Sequence, residues 1–103
     1  MPQPDPDRQD FALAAAGAIY VDEVTAGPGG VMTDDVGVIT GDLTVAVHLS
    51  DDGHSAHATV QYTGADEWYT LTGSPAPIPD GDLAGYHHSL LDRIRHGRSA
   101  EAT

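Results

Sequence analysis

The sequence contains no cysteine and no lysine, and only one tryptophan and one phenylalanine in 103 residues. Without cysteine the chain has no disulfide and no thiolate metal site. Without lysine its fixed cations are four arginines, which stand against 16 carboxylates and give a formal net charge of -12. A field of this sign repels nucleic acids and anionic membranes, so we predict that the protein binds neither.

Long hydrophobic runs are also absent. The longest apolar stretch, residues 11–21, is too short to span a bilayer, and acidic residues precede it, which argues against a secretory signal peptide. We therefore predict a cytoplasmic protein. The sequence has no phosphate-binding glycine loop, no Gly-x-Ser-x-Gly motif and no cysteine nucleophile, so it gives no positive indication of an enzyme.

The clearest structural signal is a β-hairpin in the middle of the chain. Residues 43–49 alternate apolar and polar, and the Asp52-Gly53 pair that follows is typical of a two-residue turn. This turn gathers eight apolar or aromatic residues on one face in four opposed pairs: Leu49–Ala56, Val47–Ala58, Val45–Val60 and Leu43–Tyr62. A one-residue slip would scatter them. The opposite face pairs His48 with His57, Ala46 with Thr59, and Thr44 with Gln61.

A third strand is predicted after a turn at 64–67. Residues 68–72 return along the hairpin and place Tyr69 beside Tyr62 and Leu71 beside Val60 on the apolar face. Trp68 and Thr70 then belong to the opposite face.

A fourth strand is predicted upstream of the hairpin. Residues 36–40 pair with the first hairpin strand through a turn at Gly41-Asp42. This register points Val36 and Val38 inward, turns Ile39 outward, and brings Asp35 next to His48.

Helical periodicity appears at both ends of the chain. Residues 8–17 are predicted to form a short N-terminal helix, with a strand as the alternative for 18–24 because its residues also favour extended backbone. Residues 81–96 carry an apolar stripe, begin after Asp80 or Asp82 and end at Gly97, which is typical of an amphipathic helix.

These elements predict an α+β fold. An antiparallel β-meander of three to four strands covers about 36–73, and the C-terminal helix at about 81–96 packs on its apolar face. Three alternating prolines make residues 1–7 a flexible lead. Residues 8–97 form a single domain, and residues 98–103 form a flexible C-terminal tail.

One candidate metal site lies on the polar face of the hairpin. Directly opposed side chains have Cβ atoms roughly 5 Å apart, so His48 and His57 are within reach of one ion. Asp35 would complete a set of two imidazoles and a carboxylate that suits zinc or iron. The alternative is that all three are ordinary solvated residues, and on that interpretation the protein has no cofactor.

Other candidate residues lie at the C-terminal helix and around the tryptophan. His87 borders the apolar stripe and is interpreted as a packing residue, or as a general base if its ring opens into a pocket. Arg93 and Arg95 form a small basic docking site or simply complement the helix dipole. Trp68 and Thr70 mark a partner-binding surface, unless the N-terminal helix covers them.

The functional hypothesis is a non-enzymatic accessory protein that binds another macromolecule, as a regulator, an adaptor, or an immunity-type partner that neutralises a toxin or inhibitor. Its acidity suits a basic protein, and a DNA mimic is one variant. The alternative is a metal- or small-molecule-binding domain, an enzyme included, centred on the two histidines. An auxiliary subunit whose exposed strand edge joins a larger assembly, or a homodimer, is a third possibility.

Overall fold

A computed structural model describes residues 19–103, which form an α+β fold as predicted. The predicted N-terminal lead and the helix at 8–17 lie outside these residues. The elements are β1 (Ile19–Thr25), β2 (Val31–Thr33), β3 (Gly37–Ile39), β4 (Asp42–Leu49), β5 (Ser55–Tyr62), β6 (Tyr69–Thr70), β7 (Ala76–Pro77) and α1 (Leu83–His96).

The largest sheet is antiparallel and is organised around the β4–β5 hairpin. Its strand order is β1-β4-β5-β6, and β7 also pairs with β5. The hairpin has the predicted register throughout, from Leu43 opposite Tyr62 to Leu49 opposite Ala56. Gly53 takes a φ of 79° in the turn, a left-handed conformation that glycine adopts without strain. The turn is longer than the two residues predicted, since the N–H of Gly53 donates to the carbonyl of Ser50 and the N–H of Ser50 to the carbonyl of Ser55, yet it gives the same register.

The core lies on one side of this sheet, which we call the inner face and which holds Val45, Val47 and Val60. All three are fully buried. Helix α1 packs over them with its apolar stripe, as predicted; its buried members are Leu83, His87, Leu90, Leu91 and Ile94. The Asp82 carboxylate caps the helix by accepting from the backbone N–H of Gly85 at 2.9 Å. Among residues 19–103, no helix has the length and apolar character needed to span a membrane.

On the side of β4 away from β5, the neighbouring strand is β1 and not the segment 36–40. The predicted pairing of residues 36–40 with β4 is therefore wrong. In β1, Ile19 lies opposite His48 and Thr25 lies opposite Asp42, which confirms the strand alternative predicted for residues 18–24. β1 offers seven residues for pairing, whereas β3 has three and pairs with β2 in a separate two-stranded sheet.

The same change reverses the predicted burial along β3. Ile39, expected to face outward, is buried, whereas Val36 and Val38 are 54% and 46% exposed. Apolar alternation identified a strand here but did not identify its partner. A hydrogen bond from the Thr33 hydroxyl to the carbonyl of Gly37 closes the β2–β3 turn locally.

The third strand is shifted by two residues from its predicted register. Tyr69 lies opposite Val60, and the backbone N–H of Leu71 donates to the carbonyl of Ala58. An even shift leaves side chains on their predicted face, so Leu71 is still fully buried. The longer connection is closed when the Gln61 side chain donates to the carbonyl of Ala65.

Residues 98–103, expected to form a flexible tail, are packed against the body of the protein. The N–H of Ala100 donates to Gly30, and its carbonyl accepts from Met32. Ala102 is fully buried. This docking depends on the glycine-rich loop at 27–30, because a Cβ atom at Gly27 would overlap the backbone of the helix end.

Candidate functional site

The side of the large sheet opposite the core is the candidate interaction surface, here called the outer face. The strand registers place the same-side residues there: Ile19, Val21, Glu23, Thr25, Thr44, Ala46, His48, His57, Thr59, Gln61 and Thr70. Helix α1 contributes its apolar stripe to the core instead, and the β2–β3 hairpin contributes Val31 and Ile39.

Charge is distributed unevenly over the outer face. Its centre is neutral and is formed by Val21, Thr44, Ala46 and Thr59. Carboxylates lie at its edges: Glu23 on β1, Asp42 at the start of β4, Asp51 in the hairpin turn, and Asp35, which accepts from the backbone N–H of Thr70. The arginines of the described chain lie on α1 or follow it. The face is therefore uncharged in the middle and acidic at its boundary.

Trp68 and Thr70 lie on the β6 side of this surface. Thr70 is half-buried and opposes Thr59, which places it on the outer face. Trp68 comes directly before β6 and is 43% exposed. An exposed tryptophan beside a neutral centre is a suitable anchor for a protein partner.

His48 and His57 are directly opposed, and their rings stack in parallel with centroids 4.7 Å apart and an interplanar angle of 7°. Burial and the positive charge of a protonated His57 lower the pKa of His48, whereas the carboxylate of Asp51 raises it. The structure thus brings together the two predicted imidazoles.

Asp35 does not join these histidines, because β1 and not the segment 36–40 lies beside β4. One oxygen of its carboxylate accepts from the backbone N–H of Thr70 at 2.9 Å. Its neighbour Asp34 accepts from the hydroxyl of Thr72. In the part of the chain that the structure describes, no three His, Cys, Asp or Glu residues are grouped so as to hold one ion. The predicted three-ligand set is therefore wrong.

Arg93 has an internal role that the sequence did not indicate. Its guanidinium donates to the carbonyls of Glu101 and Ala102 at 3.2 and 3.3 Å and lies over the ring of Tyr86. The hydroxyl of Tyr86 donates to the same Ala102 carbonyl at 2.6 Å. These contacts hold the C-terminal segment, so Arg93 is not free to dock a partner.

Arg95 has different contacts from Arg93. It donates to Asp92 at 3.0 Å and remains half exposed. It also lines an open cavity of about 570 Å³, together with Glu23, Val24, Thr25 and Asp42. The Thr25 hydroxyl donates to Asp42 there at 2.8 Å. Of the four predicted binding residues, Trp68 and Thr70 are thus neighbours at β6, whereas Arg93 and Arg95 each have other surroundings.

His87 is buried, and sequence reasoning missed its partner. Its Nε2 lies 2.8 Å from a carboxylate oxygen of Asp22, and its ring stacks on Tyr20. Its Nδ1 is buried and has no hydrogen-bond partner among the described residues. Because Nδ1 is not open to solvent, His87 serves as a packing residue, and this geometry does not support a general base.

Comparison of the chain with protein-family models, with curated proteins and with solved structures gives no match.

Proposed function

We propose that this protein is a non-enzymatic accessory protein that binds a basic protein partner through its outer face. The observation that carries the proposal is the neutral centre of this face inside a boundary of carboxylates. Protein interfaces have such an anatomy, with charged residues depleted in the core and polar residues at the rim. Here the rim is acidic apart from Arg95, which lies beside Glu23 and Asp42, so it favours a partner of positive charge.

Electrostatics and packing contribute differently to this complex. The acidic rim, on a chain with a net charge of -12, accelerates encounter with a cationic protein, and added salt weakens this effect. Trp68 supplies apolar area at the β6 side, where truncation of an anchoring aromatic costs about 2 kcal/mol or more of binding. Both contributions are expected to act together.

The proposal is tested by quantitative pull-down from an extract of the source cells at low and high salt. The baits are the wild-type protein, Trp68→Ala, and the control Tyr62→Ala. Tyr62 is also 43% exposed, but its register places it on the inner face. We expect a basic protein that the wild type and the control retain at low salt, that Trp68→Ala loses, and that high salt releases.

The partner is then purified, and its binding to the three baits is measured by titration calorimetry. The proposal is contradicted if Trp68→Ala binds the partner as tightly as the wild type does, or if added salt does not weaken the complex. Binding of a DNA-binding protein that is displaced by duplex DNA identifies the DNA-mimic variant. A self-complex, detected as a dimer by sedimentation without any basic partner, identifies a homodimer in its place.

A further inference from the structure

Two imidazoles lie side by side at one end of the outer face. His48 on β4 and His57 on β5 are cross-strand partners, with ring centroids 4.7 Å apart. His48 is exposed and His57 is half-buried, so both reach solvent. Within residues 19–103, hydrogen bonds from imidazole nitrogens are made by His87 and His96. The nitrogens of the stacked pair are therefore available to a ligand.

The pair comes within reach of one metal ion after a side-chain rotation, because the stacked rings lie 4.7 Å apart. A metal lies about 2.0–2.1 Å from an imidazole nitrogen, so two ligating nitrogens are about 3–4 Å apart. In the stacked arrangement the lone pairs run parallel, since each lies in the plane of its ring. Rotation of one ring about its Cβ–Cγ bond makes them converge, and the strand register keeps both side chains within reach.

The electrostatic setting of the pair also favours a cation. The protein carries a net charge of -12, which raises the local concentration of divalent cations. Asp51 follows His48 by three residues and brings a carboxylate to the same end of the hairpin.

We propose that His48 and His57 form a two-histidine site for a divalent late first-row transition metal, with water molecules completing the coordination. Imidazole ligands suit zinc, nickel and copper, whereas magnesium and calcium require oxygen ligands. The order of affinity across the late metals places copper above nickel and zinc. The site does not depend on a protein partner, so its failure would leave the proposed function untouched.

The test is titration calorimetry of the untagged, chelator-treated protein with zinc, nickel and copper salts. We expect saturable one-to-one binding that is tightest for copper, with none for magnesium. Loss of either ligand, in His48→Ala or His57→Ala, is expected to weaken binding by at least about tenfold, as ligand-shell changes do. The double variant, which lacks both imidazoles, should bind at least as weakly as the more impaired single one.

The matched control is His88→Ala. His88 is highly exposed and faces Asp92 one helical turn away at 3.7 Å, so it represents an ordinary surface histidine. This variant should bind metal like the wild type. If it loses the binding instead, or if His57→Ala binds as tightly as the wild type, the proposal is overturned.

A second measurement uses the wild type alone and does not depend on a variant that folds. Long-range nitrogen–proton spectra resolve the imidazole resonances, and zinc should shift those of His48 and His57 together while leaving those of His87 in place. Zinc-induced shifts confined to other histidines, or no shift at all, would overturn the assignment.

Discussion

The two faces of the large sheet are built from alternate residues of the same strands, yet they have different roles. On β5, Val60 is fully buried against the core, while the adjacent Thr59 lies on the outer face, half exposed. The inner face has α1 and the β2–β3 hairpin packed on it. The inner face therefore provides most of the stability, and the residues of the outer face can be selected for binding without loss of the core.

The largest expected effect comes from placing the same charge on each face. Val60→Asp buries a carboxylate with no partner and should cost about 4 kcal/mol or more of unfolding free energy, which is most of the stability of a small domain. Thr59→Asp keeps its carboxylate at the surface and should cost about 1 kcal/mol, the span of strand propensities. Urea denaturation measures the unfolding free energy of both variants. Equal losses would contradict the assignment of the core to one face only.

A second effect distinguishes glycines that contact the backbone from glycines in open turns. Gly97 and Gly41 have φ values of 80° and 91°, so alanine is strained at both by about 1–2 kcal/mol. At Gly97 a Cβ atom would also overlap the carbonyl oxygen of Pro28, whereas the space around Gly41 is empty to 4 Å.

Gly97→Ala should therefore cost about 1–3 kcal/mol more than Gly41→Ala, the usual penalty for overpacking. Thermal unfolding followed by circular dichroism checks this. Similar losses would mean that the helix end and the 27–30 loop are less closely packed than described.

A smaller effect concerns the C-terminal segment on the inner side. Tyr86→Phe removes the hydroxyl that donates to Ala102 and should cost about 0.5–1.5 kcal/mol. Burial raises the pKa of Tyr86, although Arg93 acts in the opposite direction. Its contribution is therefore complete below the unfolded pKa of about 10 and is lost as the pH rises further.

The unfolding free energies of the wild type and Tyr86→Phe should consequently differ at pH 8 and converge as the pH rises above 10. The exposed tyrosines titrate alike in both proteins, so they provide the background. A constant difference between the two proteins across this range would contradict the assigned role of the hydroxyl.

The smallest effect is expected at the hairpin turn. The carboxylate of Asp52 accepts from the Ser50 hydroxyl and from the backbone N–H of His54, and these bonds lower the pKa of Asp52. Its contribution is present above the unfolded pKa of 3.8 and is lost as the pH falls below that value.

Asp52→Asn should thus lower the unfolding midpoint slightly at pH 7 and leave it unchanged near pH 2. Cross-strand nuclear Overhauser contacts between β4 and β5 should persist, because Gly53 still provides the left-handed turn position. A shifted register in this variant would show that the carboxylate is needed to set it.

The hairpin and the C-terminal helix could be predicted because their signals are local. The Asp52-Gly53 pair sets the β4–β5 register, and Asp82 and Gly97 bound α1. The position of β1 beside β4 could not be predicted, since 18–24 and 36–40 both had strand character and pairing depends on contacts distant in sequence. Because 36–40 was predicted to be the neighbour of β4, Asp35 was wrongly predicted to lie beside His48.

The candidate site was predictable to the same extent. The register alone brought His48 and His57 together, and it placed Thr70 on the outer face despite the two-residue shift, since that shift was even. The contact of His87 with Asp22 was missed because it joins α1 to a strand whose place was unknown. Likewise, the hydrogen bonds of Arg93 to the carbonyls of residues 101–102 could not be predicted without knowing that the C-terminal segment folds back.

The most direct test of the outer face as a binding surface is thiol labelling. Because the chain has no cysteine, a single introduced cysteine is the only thiol that reacts. Val21→Cys places a thiol on the outer face, and His88→Cys places one on the exposed side of α1. Labelling rates are measured with and without the purified basic partner. We predict that the partner slows labelling at position 21 and leaves position 88 unchanged. Protection at position 88 with none at position 21 would contradict the account.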